Sequence, residues 1–308
     1  MPIRISSVMR GVFFIVGPTA TGKSKLAADV AREVDAEIIG ADAFQIYRGF
    51  ALLTAKPNAA TLAIAPHHLI GTKSISEGMN AEKFRKLALQ TISEIHSRGK
   101  LAIVVGGSGL YVKALTHGLP SLPEADPHLR AKLNKLSLEE LRQRLLDFDP
   151  ESTCKVDLKN RRRVVRALEI CLLTEKPASQ QQTKWSPGVR SEGVFVLRDR
   201  DELYERINRR VETMFDLGVI EEVRATGALS ETASKMIGLR EIRDLLNGKM
   251  SILQCVAAIQ QATRRYAKRQ LTWFRRQTNF QPLNLSLLTH NEARISLRAR
   301  LARAHGND

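Results

Sequence analysis

Eight residues near the N-terminus, Gly17-Pro18-Thr19-Ala20-Thr21-Gly22-Lys23-Ser24, fit the pattern G-x-x-x-x-G-K-[ST]. The glycines allow a tight turn whose backbone N–H groups converge on phosphate oxygens. Lys23 adds a full positive charge, and the Ser24 hydroxyl can hold Mg²⁺. A nucleoside triphosphatase usually adds a strand ending in aspartate for the metal. Here Val104-Val105-Gly106-Gly107-Ser108-Gly109 ends without an acid, whereas Ile38-Ile39-Gly40-Ala41-Asp42 places a carboxylate after an earlier strand. A substrate carrying a diphosphate therefore fits the motif as well as ATP does. Asp42 itself could act as a general base, cap a helix or bind Mg²⁺.

Basic side chains give the second chemical signal. Forty-eight Lys and Arg against 32 Asp and Glu leave a net charge of +16, a field that draws polyanions. Between Gln261 and Gln277 stand Arg264, Arg265, Lys268, Arg269, Arg275 and Arg276, with no acid among them. Lys159, Arg161, Arg162, Arg163 and Arg166 form a second run. One such run is often only a solvated helix face; two on so basic a chain favour nucleic acid. Arg206 and Arg210 are one helical turn apart and can share a face. His67 and His68 lack partners at metal-ligand spacing and read as structural. Cys154, Cys171 and Cys255 are widely separated and read as structural thiols of a reducing compartment.

The elements that must position these groups follow from periodicity. Gly11 to Gly17 is a continuous apolar run suited to a buried parallel strand, and Ser24 to Val34 carries one apolar helical face. Glu37 to Gly40 predicts a second strand, Glu82 to Ser97 a helix and Leu101 to Val105 a third strand. The alternation predicts an α/β fold: a P-loop core whose parallel sheet is flanked by helices. From Ser121 to Ser191 the chain turns helical and polar, entered by Pro120, Pro123 and Pro127 and left at Pro187-Gly188. Residues 121–191 therefore read as a helical insert between a first part of the core, 1–120, and a second, 192–308. The second part holds a return strand, Gly193 to Leu197, and helices at Asp201 to Gly218 and Ser251 to Arg276. The tail after Phe280 carries little signal, and Ala302 to Asp308 read as mobile.

At this point several segments together resemble the tRNA dimethylallyltransferases, also called tRNA isopentenyltransferases. They are Gly17 to Ser24, Asp42-Ala43-Phe44-Gln45-Ile46-Tyr47-Arg48, Thr54-Ala55-Lys56-Pro57, Pro66-His67-His68-Leu69 and Gly106-Gly107-Ser108-Gly109-Leu110-Tyr111. Arg166-Ala167-Leu168-Glu169, Leu203-Tyr204-Glu205-Arg206-Ile207 and Ile237-Gly238-Leu239-Arg240-Glu241 follow in family order. The most specific block is the last, Thr263 to Arg275, reading TRRYAKRQLTWFR. The resemblance implies that Gly17, Thr19, Ala20, Thr21, Gly22, Lys23 and Ser24 hold the diphosphate of dimethylallyl diphosphate, with Mg²⁺ at Ser24. Arg206 and Arg210 would face the same diphosphate, and Lys23 and Arg210 would meet the leaving group's charge. Asp42 would be the base that takes a proton from adenine. Asp42, Ala43, Phe44, Gln45, Ser108, Arg130, Arg162, Arg163, Arg166, Lys235, Gly238 and Arg240 would touch tRNA, the insert gripping the anticodon stem-loop.

The chain departs from the family pattern at Ala43, Leu53 and Asn160, where Ser, Gly and Asp are usual. An adenine beside the anticodon must leave its stack to react. Phe44, Tyr47 and Tyr111 could stack on bases, although each reads more readily as core. The expectation is a monomer in the cytoplasm; no stretch approaches 18 uncharged apolar residues, which argues against a membrane span. Three rival readings are a small-molecule or nucleotide kinase, an adenylate prenyltransferase and a non-catalytic RNA-binding module. The kinase does not explain the insert or the basic C-terminal helix.

Overall fold

The computed structural model of the protein describes Met9 and residues 11–120, 122–181 and 191–305. The apolar run after Gly11 forms β1 (Val12–Val16), buried at every position as a central parallel strand must be. The helix α1 (Lys23–Glu33), β2 (Ala36–Gly40), the short α2 (Ala59–Leu62) and the two-residue β3 (His67–His68) follow. Next come α3 (Ala81–Ser97), capped by Asn80, β4 (Leu101–Gly106) and α4 (Gly109–His117). Four helices stand in succession: α5 (Pro127–Leu133), α6 (Leu138–Phe148), α7 (Pro150–Lys155) and α8 (Arg161–Thr174). The strand β5 (Glu192–Leu197) leads into α9 (Arg200–Asp216), α10 (Val219–Arg224), α11 (Leu239–Leu246) and the long α12 (Ile252–Gln277). The described chain ends with β6 (Gln281–Asn284) and α13 (His290–His305).

Six strands form one parallel sheet in the order β3-β2-β4-β1-β5-β6. Alternation along β1 splits the core into two layers. Phe14 and Val16 face a layer with Phe84 of α3, Val112 of α4 and Phe274 of α12. Phe13 and Ile15 face Leu26 and Val30 of α1 and Leu297 of α13. Helices thus cover both faces, the arrangement that a parallel sheet requires.

The chain divides into two compact units, residues 1–117 with 188–308, and residues 118–187. The second compares with the helical insert expected at 121–191, whose Pro187-Gly188 exit lies outside the described residues. It has its own core around Leu141, Leu145, Val164 and Leu168, and a capping box between Ser137 and Glu140 starts α6.

The tail after Phe280 corrects the reading of its sequence. It supplies an edge strand, β6, paired to β5, and then α13. Ala302 to His305, expected to be mobile, belong to that helix; the last three residues lie outside the described ones. Ala293, Leu297 and Leu301, one turn apart, seal the α1 face of the sheet. Leu297 is fully buried, so Leu297→Ala should destabilise the protein by about 2–5 kcal/mol. Urea unfolding with an unchanged m-value would measure it.

Candidate functional site

Neighbouring strands deliver the site's loops to one edge of the sheet. At their C-terminal ends, β2 leads into Asp42, β4 into Gly107 and Ser108, β1 into the glycine-rich loop and β5 into Arg198. Ligands of parallel α/β sheets bind at this edge. The loop lies against the β5 strand: a Cβ on Gly17 would fall 2.1 Å from the Val196 carbonyl oxygen, so no side chain fits there.

Three arginines, one just past β5 and two on α9, hold successive residues of the loop. Arg198 Nε donates to the Thr21 carbonyl at 2.8 Å, Arg206 Nε to the Ala20 carbonyl at 2.8 Å, and Arg210 Nη1 to the Thr19 hydroxyl at 2.9 Å. The one-turn spacing of Arg206 and Arg210 therefore puts both on the loop. Ala20 adopts a left-handed φ of 65°, a strained state for a residue with a side chain. Lys23 Nζ donates to the Pro18 carbonyl at 3.1 Å, and the buried Thr21 hydroxyl donates to the same carbonyl at 3.0 Å. Thr21 thus shapes the loop through its side chain.

A cleft of about 900 Å³, counted to its open mouth, is lined by Thr19, Lys23, Ser24, Asp42 and Arg210 on its polar side. Leu53, Val211, Met214, Phe215, Ile242 and Ile259 supply an apolar side. Asp42 Oδ1 accepts the backbone N–H groups of Phe44 at 2.9 Å and Gln45 at 3.2 Å. The carboxylate therefore caps its own turn with one oxygen while it lines the cleft. Burial pulls the Lys23 ammonium down to about 8, against the attraction of Asp42 and with the repulsion of Arg210. Burial likewise brings Arg210 down to about 10, opposed by Asp42 and aided by Arg206. Arg210 Nε is buried without a hydrogen-bond partner. Two desolvated cations facing one carboxylate make a site that favours an anion.

The sign of the resulting pH dependence is fixed. An anion bound beside Lys23 raises its pKa above the free value of about 8. Binding above that pH must then take up a proton. Diphosphate affinity should hold level from pH 7 to 8 and fall by up to about tenfold per unit above it. Calorimetric titration in buffers of different ionisation enthalpy would record the proton uptake; none at pH 9 would contradict the assignment.

Other expected residues are placed differently. Gln45 Nε2 donates to the carbonyls of Thr54 and Ala55, at 3.1 and 2.8 Å, so its amide ties two segments of the wall. Ser108 Oγ accepts from the Ala43 N–H at 2.9 Å. Phe44 lines the cleft, whereas Tyr47 and Tyr111 are core, Tyr111 stacking on Phe84 at 4.1 Å. Lys235 pairs with Glu231, Gly238 starts α11 with φ 92°, and Arg240 is exposed. Met236 and Ile237 of that segment line the cleft. In the other unit, Arg130 and Arg166 both grip the buried Glu169, at 2.8 and 2.6 Å. Arg161 donates to the carbonyls of Leu133, Asn134 and Leu136. Of that basic run, Lys159, Arg162 and Arg163 are exposed.

Sequence reasoning gave no role to Tyr266 and Gln270, which also line the cleft. Burial first, and then the charge of Asp42, raises the Tyr266 phenol and keeps it protonated. An uncharged polar residue in the buried row Thr263, Ala267, Gln270, Phe274 of α12 was the available signal.

The family model described as IPP transferase matches residues 45–277. The chain is similar to the tRNA dimethylallyltransferase of Akkermansia muciniphila, 43% identical over 264 residues, covering 86% of this chain and 90% of the relative. It is similar to tRNA dimethylallyltransferase 1 of Citrifermentans bemidjiense, 44% identical over 278 residues, covering 85% and 88%. Among solved structures, the full-length tRNA isopentenylpyrophosphate transferase of Bacillus halodurans matches with a TM-score of 0.70 and 34% identity, over 96% of this chain and 98% of the other. A eukaryotic dimethylallyltransferase acting on tRNA matches with a TM-score of 0.76 and 25% identity, over 94% and 77%.

Proposed function

The chain belongs to the IPP transferase family, the tRNA dimethylallyltransferases, and on that premise we propose how its cleft does the chemistry. The protein transfers a dimethylallyl group from dimethylallyl diphosphate to N6 of the adenosine 3′ of the anticodon in tRNA, releasing diphosphate. One observation carries the reading: Asp42 shares a cleft with Lys23 and Arg210 and is electrostatically coupled to both.

The exocyclic amine of adenine is a weak nucleophile because its lone pair is delocalised into the ring. Asp42 accepts one of its N–H bonds and takes that proton as N6 bonds to C1 of the prenyl group. The C1–oxygen bond breaks, and negative charge gathers on the departing diphosphate. Lys23, Arg210 and the loop amides are already in place for that charge and need no reorganisation. The apolar side of the cleft, Val211, Met214 and Phe215 among it, suits the hydrocarbon. The Ser24 hydroxyl lines the cleft and offers a hard oxygen donor, which fits Mg²⁺; it would hold the ion together with diphosphate oxygens, adding positive charge to the leaving group.

The RNA is held through its phosphates by exposed cations, Arg162 and Arg163 in the insert and Arg265, Lys268 and Arg269 on α12. The double variant Arg162→Ala, Arg163→Ala removes two charges that are exposed on the insert. It should lower the slope of log affinity against log salt by about 1 to 2, at roughly 0.7–0.9 per phosphate. An unchanged slope for tRNA would make this run a solvated face only. Among the described residues no helix is long and apolar enough to cross a membrane. The reading as a whole is tested by offering the protein tRNA with either labelled dimethylallyl diphosphate or γ-labelled ATP. Label should enter RNA from the first alone; phosphoryl transfer from the second would favour a kinase.

A further inference from the structure

The base and the leaving-group site stand on different strands, so something must set the distance between them. Asp42 follows β2 and the glycine-rich loop follows β1, with β4 between them in the sheet. One side chain from outside the sheet bridges the loops. Gln270 of α12, 5% exposed, accepts the Thr19 N–H on Oε1 at 3.0 Å and donates from Nε2 to the Gly107 carbonyl at 2.8 Å.

Each end of that bridge continues into the site. Thr19 carries the hydroxyl that Arg210 binds. Gly107 adjoins Ser108, whose Oγ accepts the N–H of Ala43, next to Asp42. Tyr266, one turn earlier on α12, lines the same cleft as Gln270. The junction is tight: a Cβ on Gly107 would lie 2.2 Å from Gln270 Nε2 and 3.1 Å from the Gly17 carbonyl oxygen. A buried amide is costly unless its donor and acceptor are both matched, and here both are, by two loops that are otherwise tied through the backbone, the Gly17 N–H donating to the Gly106 carbonyl at 3.1 Å.

We propose that Gln270 is a positioning residue, whose side-chain amide fixes the span between the glycine-rich loop and the Asp42 segment. This rests on the reading of the loop as the diphosphate site and Asp42 as the base. Gln270 touches neither reacting atom. Its effect is to hold the amine, the prenyl carbon and the leaving group in line, where a misplacement of about 1 Å costs on the order of 100-fold in rate.

The test compares Gln270→Leu, which keeps the bulk and removes both hydrogen bonds, with Gly107→Ala, whose methyl displaces Nε2. With tRNA and dimethylallyl diphosphate both saturating, Gln270→Leu should lower kcat about 100-fold, with both KM values within about threefold of wild type. Gly107→Ala should lower kcat in the same way, yet add less than about threefold in a Gln270→Ala background, where the amide is already gone and the methyl no longer meets it. A Gln270→Leu kcat within threefold of wild type would overturn the proposal. So would a loss confined to KM for tRNA, which marks an RNA contact, or two fully multiplicative effects. Should Gln270→Leu fail to fold, Gly107→Ala decides alone by the same split of kcat from KM. Asp42→Asn in the same assay separates the two layers. If it is inactive while Gln270→Leu is normal, only the bridge fails; if it is active, the reading of the base fails.

Discussion

Asp42→Asn should lower turnover by about 10² to 10⁴, the usual worth of a general base, while dimethylallyl diphosphate and tRNA still bind. Asparagine is the informative replacement because Asp42 has a second task. Its Oδ1 accepts the N–H groups of Phe44 and Gln45, and an amide oxygen can take over both bonds. The turn then stays closed, and only the capacity to accept a proton is lost. The carboxylate also raises the Lys23 pKa, so its removal lowers Lys23 further. Rates should therefore be compared at pH 7 or below, where that side effect is smallest. A variant that keeps more than a tenth of the wild-type rate would remove Asp42 from the chemistry and leave it as a turn cap.

Arg210→Met should weaken both binding of dimethylallyl diphosphate and turnover. The guanidinium is desolvated, binds Thr19 through one nitrogen and carries a second, Nε, with no partner in the protein. Such a group gains more from an anion than a solvated arginine does, because water competes less for it. Loss of one charged donor aimed at developing charge costs about 10²–10³ in kcat, and its contact with the bound diphosphate about 1.5–3 kcal/mol. Methionine keeps most of the stem that packs beside Val211 and Met214. Binding measured by displacement of a labelled prenyl diphosphate checks the claim, and tRNA affinity should hold. Unchanged diphosphate affinity would place the anion elsewhere in the molecule.

The parts of this molecule that follow a simple period were legible in its sequence. The strands β1, β2, β4 and β5 are short, mostly apolar runs with β-branched residues at their centres or ends, and a parallel sheet with buried faces asks for little else. The glycine-rich loop and Asp42 were legible because their chemistry needs particular residue types at particular spacing. The tail was not: β6 contains a proline, and α13 buries only Ala293, Leu297 and Leu301 along an otherwise polar surface. The insert arginines show a different limit. Spacing revealed the positive run, but not that Glu169, three residues past Arg166, is fully buried and pairs with both Arg130 and Arg166. Gln270 escaped for the opposite reason, since a polar residue within an apolar helical row looks like a tolerated exception until its two partners are seen.

The measurement that reaches the central claim most directly is mass spectrometry of nucleosides from unmodified tRNA, incubated with the protein, Mg²⁺ and dimethylallyl diphosphate labelled at C1. One labelled dimethylallyl group per tRNA is expected, bonded through C1 to N6 of the adenosine 3′ of the anticodon, with diphosphate released in equal amount and, at matched early times, at least about 100-fold less product from Asp42→Asn. Label on free adenine nucleotide, on another atom of the RNA, or an equal yield from Asp42→Asn would contradict it.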